Sequence, residues 1–560
     1  MIYDTDDYEY DDVVPVDLVG KRKVIAVNYY RNMSLKQKRD RYEMHKYWGK
    51  KPSSDLGDLV RKYSNEGETV LDPFSGYGVF CCEAYILNRN VISNDLNPVS
   101  NFLNETLFDK DIDLEKVEKE WKQIREKFVD FNNEWFEWSV DGEKVILTSI
   151  LRDKDDVPIK AKYLSPGEKK AREIDLAQEQ AKEFLKYEEF QEISDWYPDE
   201  ALIENSRISA RKGMSVASLF TKRTLSCHAR LFSLINQVSS GNERELLKLA
   251  FTANLANCSR LVPPIKSRGA MAPGAWMTGF YTGDTYIENN VLVYFENRLK
   301  KAIKGKREYL GNFQADGLFS EPNEHSSTYR ITDFDAKNLK LANESIDFIF
   351  ADPPYGEAVP YFEQSIIWNS WLRIEPDYEN EIVISDSKVR SKRGSQFETD
   401  IDKSFSEIRR VLKSGKYFSL TYHSLSGYEW RAITNACVRN GFELYEFEWL
   451  VQKSFTPRQI NRMKTIKGDV LVTFRKLSDI PPYKETGENE LAYDLAIMIR
   501  RWLYEKPLDT NQIFLKVMEY IFRERIVSGP IDLLELLVNN FEFNEMKLWV
   551  INDKLKLQTA

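Results

Sequence analysis

The chain runs to 560 residues, enough for two or three domains around a large core. Hydrophobic content of 42% with 30% charged residues is that of an ordinary globular protein, and no run of eighteen apolar residues would cross a membrane. A net charge of −9 excludes a surface that is basic throughout, and five cysteines without a C-x-x-C spacing support neither a zinc site nor a disulfide framework. The N-terminus lacks a basic-then-apolar signal pattern, so a reducing cytoplasm is expected, with no membrane or metal partner. Residues 1–40 read as an acidic tail and arm. Residues 41–105 form a first half-domain. In it the strand Thr69-Val70-Leu71 leads into Asp72-Pro73-Phe74-Ser75-Gly76-Tyr77-Gly78, followed by a helix over 79–87. This is strand, glycine turn, helix. The glycines let the backbone pass close to a cofactor, and the helix start offers free N–H groups.

A second strand, Val91-Ile92-Ser93, ends at Asn94-Asp95, where an acidic residue usually holds a ribose diol. A single Gly-x-Gly replaces the full dinucleotide fingerprint, which favours S-adenosylmethionine (SAM) over a nicotinamide cofactor. Residues 106–325 read as a large, mostly helical insertion. Helices are expected over 114–131, most of 160–189, 215–237, 243–256 and 290–304, with a small β element at Trp135, Phe136 and Trp138 followed by Val145-Ile146-Leu147. Between them the Gly- and Pro-rich stretch 262–283 carries Arg268, Trp276 and Tyr281, residue types suited to phosphate contact and base stacking.

Residues 326–478 form a second half-domain. A strand at 329–332 leads to Asp335, and the apolar run 346–351 ends abruptly in Asp352-Pro353-Pro354-Tyr355. Such an ending places Asp352 at the carboxyl edge of a sheet, where α/β folds bind ligands. There its carboxylate can accept one N–H of a planar exocyclic amine and the Pro353 carbonyl the other. The nitrogen lone pair is then freed to attack an electrophilic methyl, and Tyr355 offers a face for an extruded base. Asp352 would act by orientation and electrostatics. Further helices over 361–372, 402–412 and 428–439, a strand over 417–422, and a hairpin of 443–451 with 469–474 complete a doubly wound, mostly parallel sheet of about seven strands. An antiparallel pair is expected at its edge. Residues 488–560, after a Pro481-Pro482 linker, read as a small helical, winged-helix-like module.

Asp72 to Gly78 and Asp352 to Tyr355 resemble the SAM motif and the catalytic motif of bacterial amino-group DNA methyltransferases, the N6-adenine and N4-cytosine type. His45-Lys46-Tyr47-Trp48-Gly49-Lys50-Lys51-Pro52 is similar to the segment before the SAM strand in one bacterial branch, where it closes over the methionine end of the cofactor. Leu219 to Arg223 and 356–372 extend the resemblance over most of 40–475. It implies SAM as cofactor, with His45, Tyr47 and Lys51 at the methionine moiety and Asp72 at its amino group. Asp95 falls at the ribose, Phe74, Leu96 and Asp335 near the adenine, and Pro73, Gly76 and Gly78 in the turn. The motif order is similar to the alpha arrangement, in which a target-recognition region lies between the two motifs. The insertion 106–325 is therefore expected to hold target-recognition and helical scaffold segments, although the Asp335 segment follows it. The implied substrate is a flipped base in double-stranded DNA, adenine N6 favoured because Asp opens the tetrapeptide. Contacts are expected from basic stretches that include Lys388, Arg390, Lys392, Arg393 and Arg458. Restriction-modification or phage defence is the implied setting, with a cognate endonuclease or defence subunit as partner. An RNA amino-group methyltransferase and a non-catalytic SAM-binding subunit are the alternatives.

Overall fold

The computed structural model describes residues 39–165, 167–168, 170–313, 326–356, 359–422, 427–450 and 469–552, with the backbone alone at 28–31, 266, 422, 427–428, 449–450 and 469. The first half-domain runs β1 (Asn28–Arg31), α1 (Ser53–Tyr63), β2 (Thr69–Asp72), α2 (Val79–Ile86), β3 (Asn90–Asn94) and α3 (Pro98–Phe108). Proline at the first turn of α3 fits a position whose N–H has no partner in the helix.

The insertion opens with α4 (Leu114–Phe136), whose first turn is capped by the Asp113 carboxylate. It continues through β4 (Glu137–Val140), β5 (Glu143–Asp153), β6 (Pro158–Leu164), β7 (Arg172–Asp175) and α5 (Gln178–Phe190). After these come α6 (Lys222–Val238), α7 (Gly241–Leu255), β8 (Thr285–Asn289) and α8 (Val291–Gly311). The insertion is therefore not simply helical, because β4 to β8 make a five-stranded antiparallel sheet. Of the helix expected over most of 160–189 only the part from Gln178 on is helical, and the strands β6 and β7 precede it. Buried Ala161 and Tyr163 alternate with Lys160 and Lys162, a period of two that the high charge concealed.

The second half-domain holds β9 (Tyr329–Thr332), β10 (Ile346–Ala351), α9 (Tyr361–Leu372), α10 (Gly394–Val411), β11 (Leu412–Tyr422), α11 (Gly427–Arg439), β12 (Phe442–Leu450) and β13 (Asp469–Lys476). The central sheet has eight strands in the order β1-β12-β13-β11-β10-β2-β3-β9. The seven expected strands are joined by β1, parallel to β12. The antiparallel partner is not an edge pair: β13 alone runs against its neighbours, inserted between β11 and β12. β10 is buried at all six positions, as a strand covered on both faces must be.

Side chains of the central strands divide the interior in two. Val70, Phe348 and Phe350 face a core shared with α1 to α4 and the insertion, while Leu71, Ile349 and Ala351 face one shared with α10, α11 and the C-terminal region. The latter comprises helices Glu488–Glu505, Thr510–Arg523 and Leu533–Asn540 with two short strand pairs. It docks on the sheet's β12 and β13 side. Phe522 lies 5.0 Å from Phe474, and the Trp430 indole donates to the Ile531 carbonyl. Among the described residues no helix is long and apolar enough to cross a membrane.

Candidate active site

Strand order reverses between β2 and β10. The chain goes from β2 outward through β3 to β9, then returns to β10 on the other side. Such a switch point leaves a crevice beyond the carboxyl ends of the strands. Val70 and Leu71 pair with Phe348 and Ile349, so Asp72 and Asp352 leave adjacent strand ends. The cleft there encloses about 940 Å³, its open mouth included. Tyr47, Lys51, Asp72, Pro73, Phe74, Gly76, Asp95, Leu96, Asp335, Asp352 and Pro354 line it together.

The glycine turn is held by acidic side chains. Asp72 Oδ1 accepts the Phe74 amide at 3.0 Å. The two oxygens of Asp95 accept the Gly76 and Asn97 amides at 2.7 and 2.8 Å. Asn94 stitches the neighbouring loops. Its amide group donates to the Pro73 and Phe334 carbonyls at 3.1 and 3.0 Å and accepts the Phe334 N–H at 2.9 Å. Gly76 and Gly78 both lie in the left-handed region, at φ +51° and +75°. A Cβ on Gly76 would press the Tyr47 ring at 3.0 Å, whereas one on Gly78 would fall 1.6 Å from Asn104 Oδ1. Gly78 thus serves packing against α3 and does not line the cleft.

Anionic groups set the electrostatics. Burial pushes the Asp72 carboxyl well above the usual range, helped by the charges of Asp352 and Asp95. Burial also carries Asp95 up to about 6, against the pull of its two amide donors. Asp335, by contrast, is bonded to the Lys337 amide at 2.9 Å and lies 3.4 Å from its ammonium.

Asp352 is gripped by the chain itself. Oδ1 accepts the Thr421 hydroxyl at 2.6 Å and the Tyr355 hydroxyl at 2.5 Å, and Oδ2 lies 3.2 Å from Lys51 Nζ. Lys51 also donates to the Tyr355 hydroxyl at 2.7 Å. Pro353 is buried behind the cleft, and neither it nor Tyr355 is among the lining residues. Lys51, expected at the methionine end of a cofactor, is thus turned toward the tetrapeptide. Lys50 holds the arm in place by donating to the Tyr42 carbonyl at 2.6 Å and lying 3.5 Å over the Tyr77 ring. Burial lowers the Lys50 ammonium to about 7.

Other expected residues fall elsewhere. His45 is buried against Trp368, ring centroids 4.9 Å apart, with its Nδ1 on the Lys46 carbonyl, and burial lowers its imidazole to about 3. It supports the arm from behind the cleft. Trp276 is only 6% exposed and lies under the Lys46 ammonium, so it offers no face for base stacking. The Arg390 side chain is 2% exposed and ion-paired with Glu363 and Glu381, so it is not a phosphate ligand. Lys392 donates to the carbonyls of Glu379 and Glu381. Arg268, Tyr281, Lys388 and Arg393 are exposed, and Arg458 lies outside the described residues.

Sequence reasoning missed several members of the site. Thr421 follows Leu420, which pairs with Ala351, and so reaches Asp352 from the next strand. Trp48 and Tyr361 join Tyr47 in an aromatic wall, with Tyr47 and Tyr361 stacked at 6.5 Å. Asn380, Glu381 and Ile382 form the far wall, and the first is tied down by Lys337 at 2.7 Å. Burial raises the Glu381 carboxyl to about 7. The signal for Thr421 was its place at a strand end; the 380–382 loop carried none. Among the described residues no three His, Cys, Asp or Glu side chains gather as metal ligands.

Comparison with known proteins bears on these residues directly. The model of a family described as DNA methylase, of N6/N4 type, matches residues 21–101, which include the arm, the glycine turn and Asp95. Two solved structures are similar at 14% identity. One is a Thermus thermophilus protein assigned as a DNA modification methylase, with a TM-score of 0.16 over 29% of this chain and 56% of that one. The other is a SAM-dependent methyltransferase of Methanosarcina mazei, with a TM-score of 0.17 over 31% of this chain and 77% of that one. The chain thus spans little more than half the length of the first, and scores of this size carry no weight. No curated protein matches. From residue 21 to residue 101 the chain carries the sequence pattern of the amino-group (N6/N4) DNA methylases.

Proposed function

We propose that the protein methylates an exocyclic amine of a base in DNA, adenine N6 first, with SAM as donor. One observation carries the reading. The glycine turn with Asp72 and Asp95, and the tetrapeptide carboxylate Asp352, open onto one cleft at the switch point of the sheet. The donor fits that cleft by charge. Asp72 is a buried and Asp95 a half-buried carboxyl that no Lys or Arg among the described residues neutralises, and a ligand bearing an ammonium and a sulfonium would supply the missing cation. Asp95 would take the ribose hydroxyls, with Phe74, Leu96 and Phe334 flanking the adenine and Asp72 toward the amino group.

SAM supplies the electrophilic methyl. The chain supplies position. Asp352 Oδ2 accepts one amine N–H as Lys51 yields that oxygen, while Thr421 keeps Oδ1 fixed. The Pro353 carbonyl does not line the cleft as it stands, so the Tyr355 loop would have to move aside for that carbonyl to accept the second N–H; the two bonds together draw the nitrogen lone pair out of the ring. The amine proton becomes acidic only as the new N–C bond forms, so Asp352 has no need to remove it beforehand; the proton would leave afterwards, through the Asp352 carboxylate to water. The proposed setting, restriction-modification or phage defence with a cognate endonuclease or other subunit, rests on the resemblance alone.

The test is mass spectrometry of nucleosides from duplex DNA incubated with protein and isotopically labelled SAM. Labelled N6-methyladenine is expected. Asp352→Ala should abolish it while calorimetric SAM binding persists. Labelled RNA with unlabelled DNA would overturn the reading, and N4-methylcytosine would correct the base.

A further inference from the structure

Three loops from distant parts of the chain are hydrogen-bonded side by side at the tetrapeptide. The first, 205–214, is the tip of a finger closed by the Leu202 amide on the Met214 carbonyl at 2.9 Å. The second, 262–283, is closed by Gly274 on Pro263 and Ile265 on Ala272, both at 2.7 Å. The third is 383–393. Ser209 donates to the Gly279 carbonyl at 2.7 Å, joining the first to the second. Asn205 donates to the Ser385 hydroxyl at 3.3 Å and the Ser206 amide to Asp386 at 3.1 Å, joining the first to the third. Finally the Ile384 amide reaches the Gly356 carbonyl at 3.3 Å, directly after Tyr355.

Charge on these loops is one-sided. They carry nine Lys and Arg against one acidic residue, Asp386, in a chain where acids outnumber bases by 88 to 79. Arg207, Arg211, Lys212, Arg268, Lys388 and Arg393 are exposed. Among them stand Val389, 83% exposed, and Tyr281, 54% exposed. An anionic partner presented next to Asp352 fits this arrangement. Phosphates flanking a base that enters the cleft bring that charge, and an apolar residue beside them can occupy the gap a displaced base leaves.

We propose that these three loops form the platform on which duplex DNA lies, gripping the backbone beside the target base; this rests on the function proposed above. The first finger, Arg207 to Lys212, is part of it although no sequence signal marked it. The test uses the full chain with SAM present and a duplex that the wild type methylates. In Arg211→Ala/Lys212→Ala/Arg268→Ala/Lys388→Ala, DNA affinity should fall at least tenfold. The slope of log affinity against log salt should flatten by up to about 3.6, near 0.9 for each of the four phosphates no longer neutralised. SAM affinity, read by calorimetry, should stay at the wild-type value and shows that the variant is folded. The charge-preserving Arg211→Lys/Arg268→Lys should keep the wild-type slope. An unchanged slope in the alanine variant, on DNA that the wild type methylates, overturns the platform alone. Wild-type protein that neither binds nor methylates DNA overturns the platform and the function together, as does tighter binding of RNA of the same sequence with label on RNA only.

Discussion

Asp352 is oriented before any substrate arrives, and the residue that fixes it most firmly is Thr421. That hydroxyl sits on a buried strand, whereas Tyr355 lies on a loop and Lys51 on the arm. Thr421→Val keeps the shape and removes the hydrogen bond. It should lower kcat by roughly ten- to a hundredfold with little change in SAM affinity, because misorientation acts on the reacting geometry and not on the cofactor. Steady-state kinetics with both substrates varied checks this; an unchanged kcat would remove Thr421 from the mechanism. Asp95 gives a pH dependence. In the function proposed above both of its oxygens would accept ribose hydroxyls, which needs the ionised form, and burial carries the group up to about 6. SAM affinity is then full above that value and falls as pH drops through it, about tenfold per unit at the limit. Calorimetry from pH 5 to 8 reads the effect, which Asp95→Asn should flatten. Asp72, Asp95 and Asp352 were legible because each stands where an apolar strand stops at a proline or polar break. Thr421 was legible only as a strand-end residue, since it is the register of β11 on β10 that ties it to Asp352.

At the level of elements, the turn before α2 shows how a motif glycine can serve the scaffold and not the ligand. Gly78 combines a positive φ with a Cβ position already filled by Asn104. Gly78→Ala should cost roughly 1–3 kcal/mol of stability by overpacking and backbone strain together, measured by urea unfolding. A variant as stable as the wild type would mean that α3 can shift. The strands of the central sheet were legible from apolar runs bounded by turns, but not their order: nothing local distinguishes β13 beside β11 from β13 at the edge. In the insertion, dense charge suggests helix, whereas the alternation of Lys160 and Lys162 with Ala161 and Tyr163 is the mark of a strand. The Asp141-Gly142 turn between β4 and β5, with φ of +50° and +81°, is the hairpin signal that the charge obscures.

Across the whole molecule, the net charge of −9 conceals its distribution. Basic residues on three loops meet only through tertiary contacts, so a count along the chain could mark two of the loops and had no means to add the third. Nor could sequence tell that the C-terminal helices complete the core beneath α10 and α11. The pairing of β2 with β10 has a further consequence, for synthesis. The Thr69 amide bonds to Asp347, 278 positions along the chain. At roughly 5–20 residues per second, the ribosome needs roughly a quarter of a minute to a minute to bridge that gap. Throughout that time one edge of β2 has no partner strand. The nascent chain can assemble the glycine turn early, yet it has no tetrapeptide opposite that turn until most of the protein has been made.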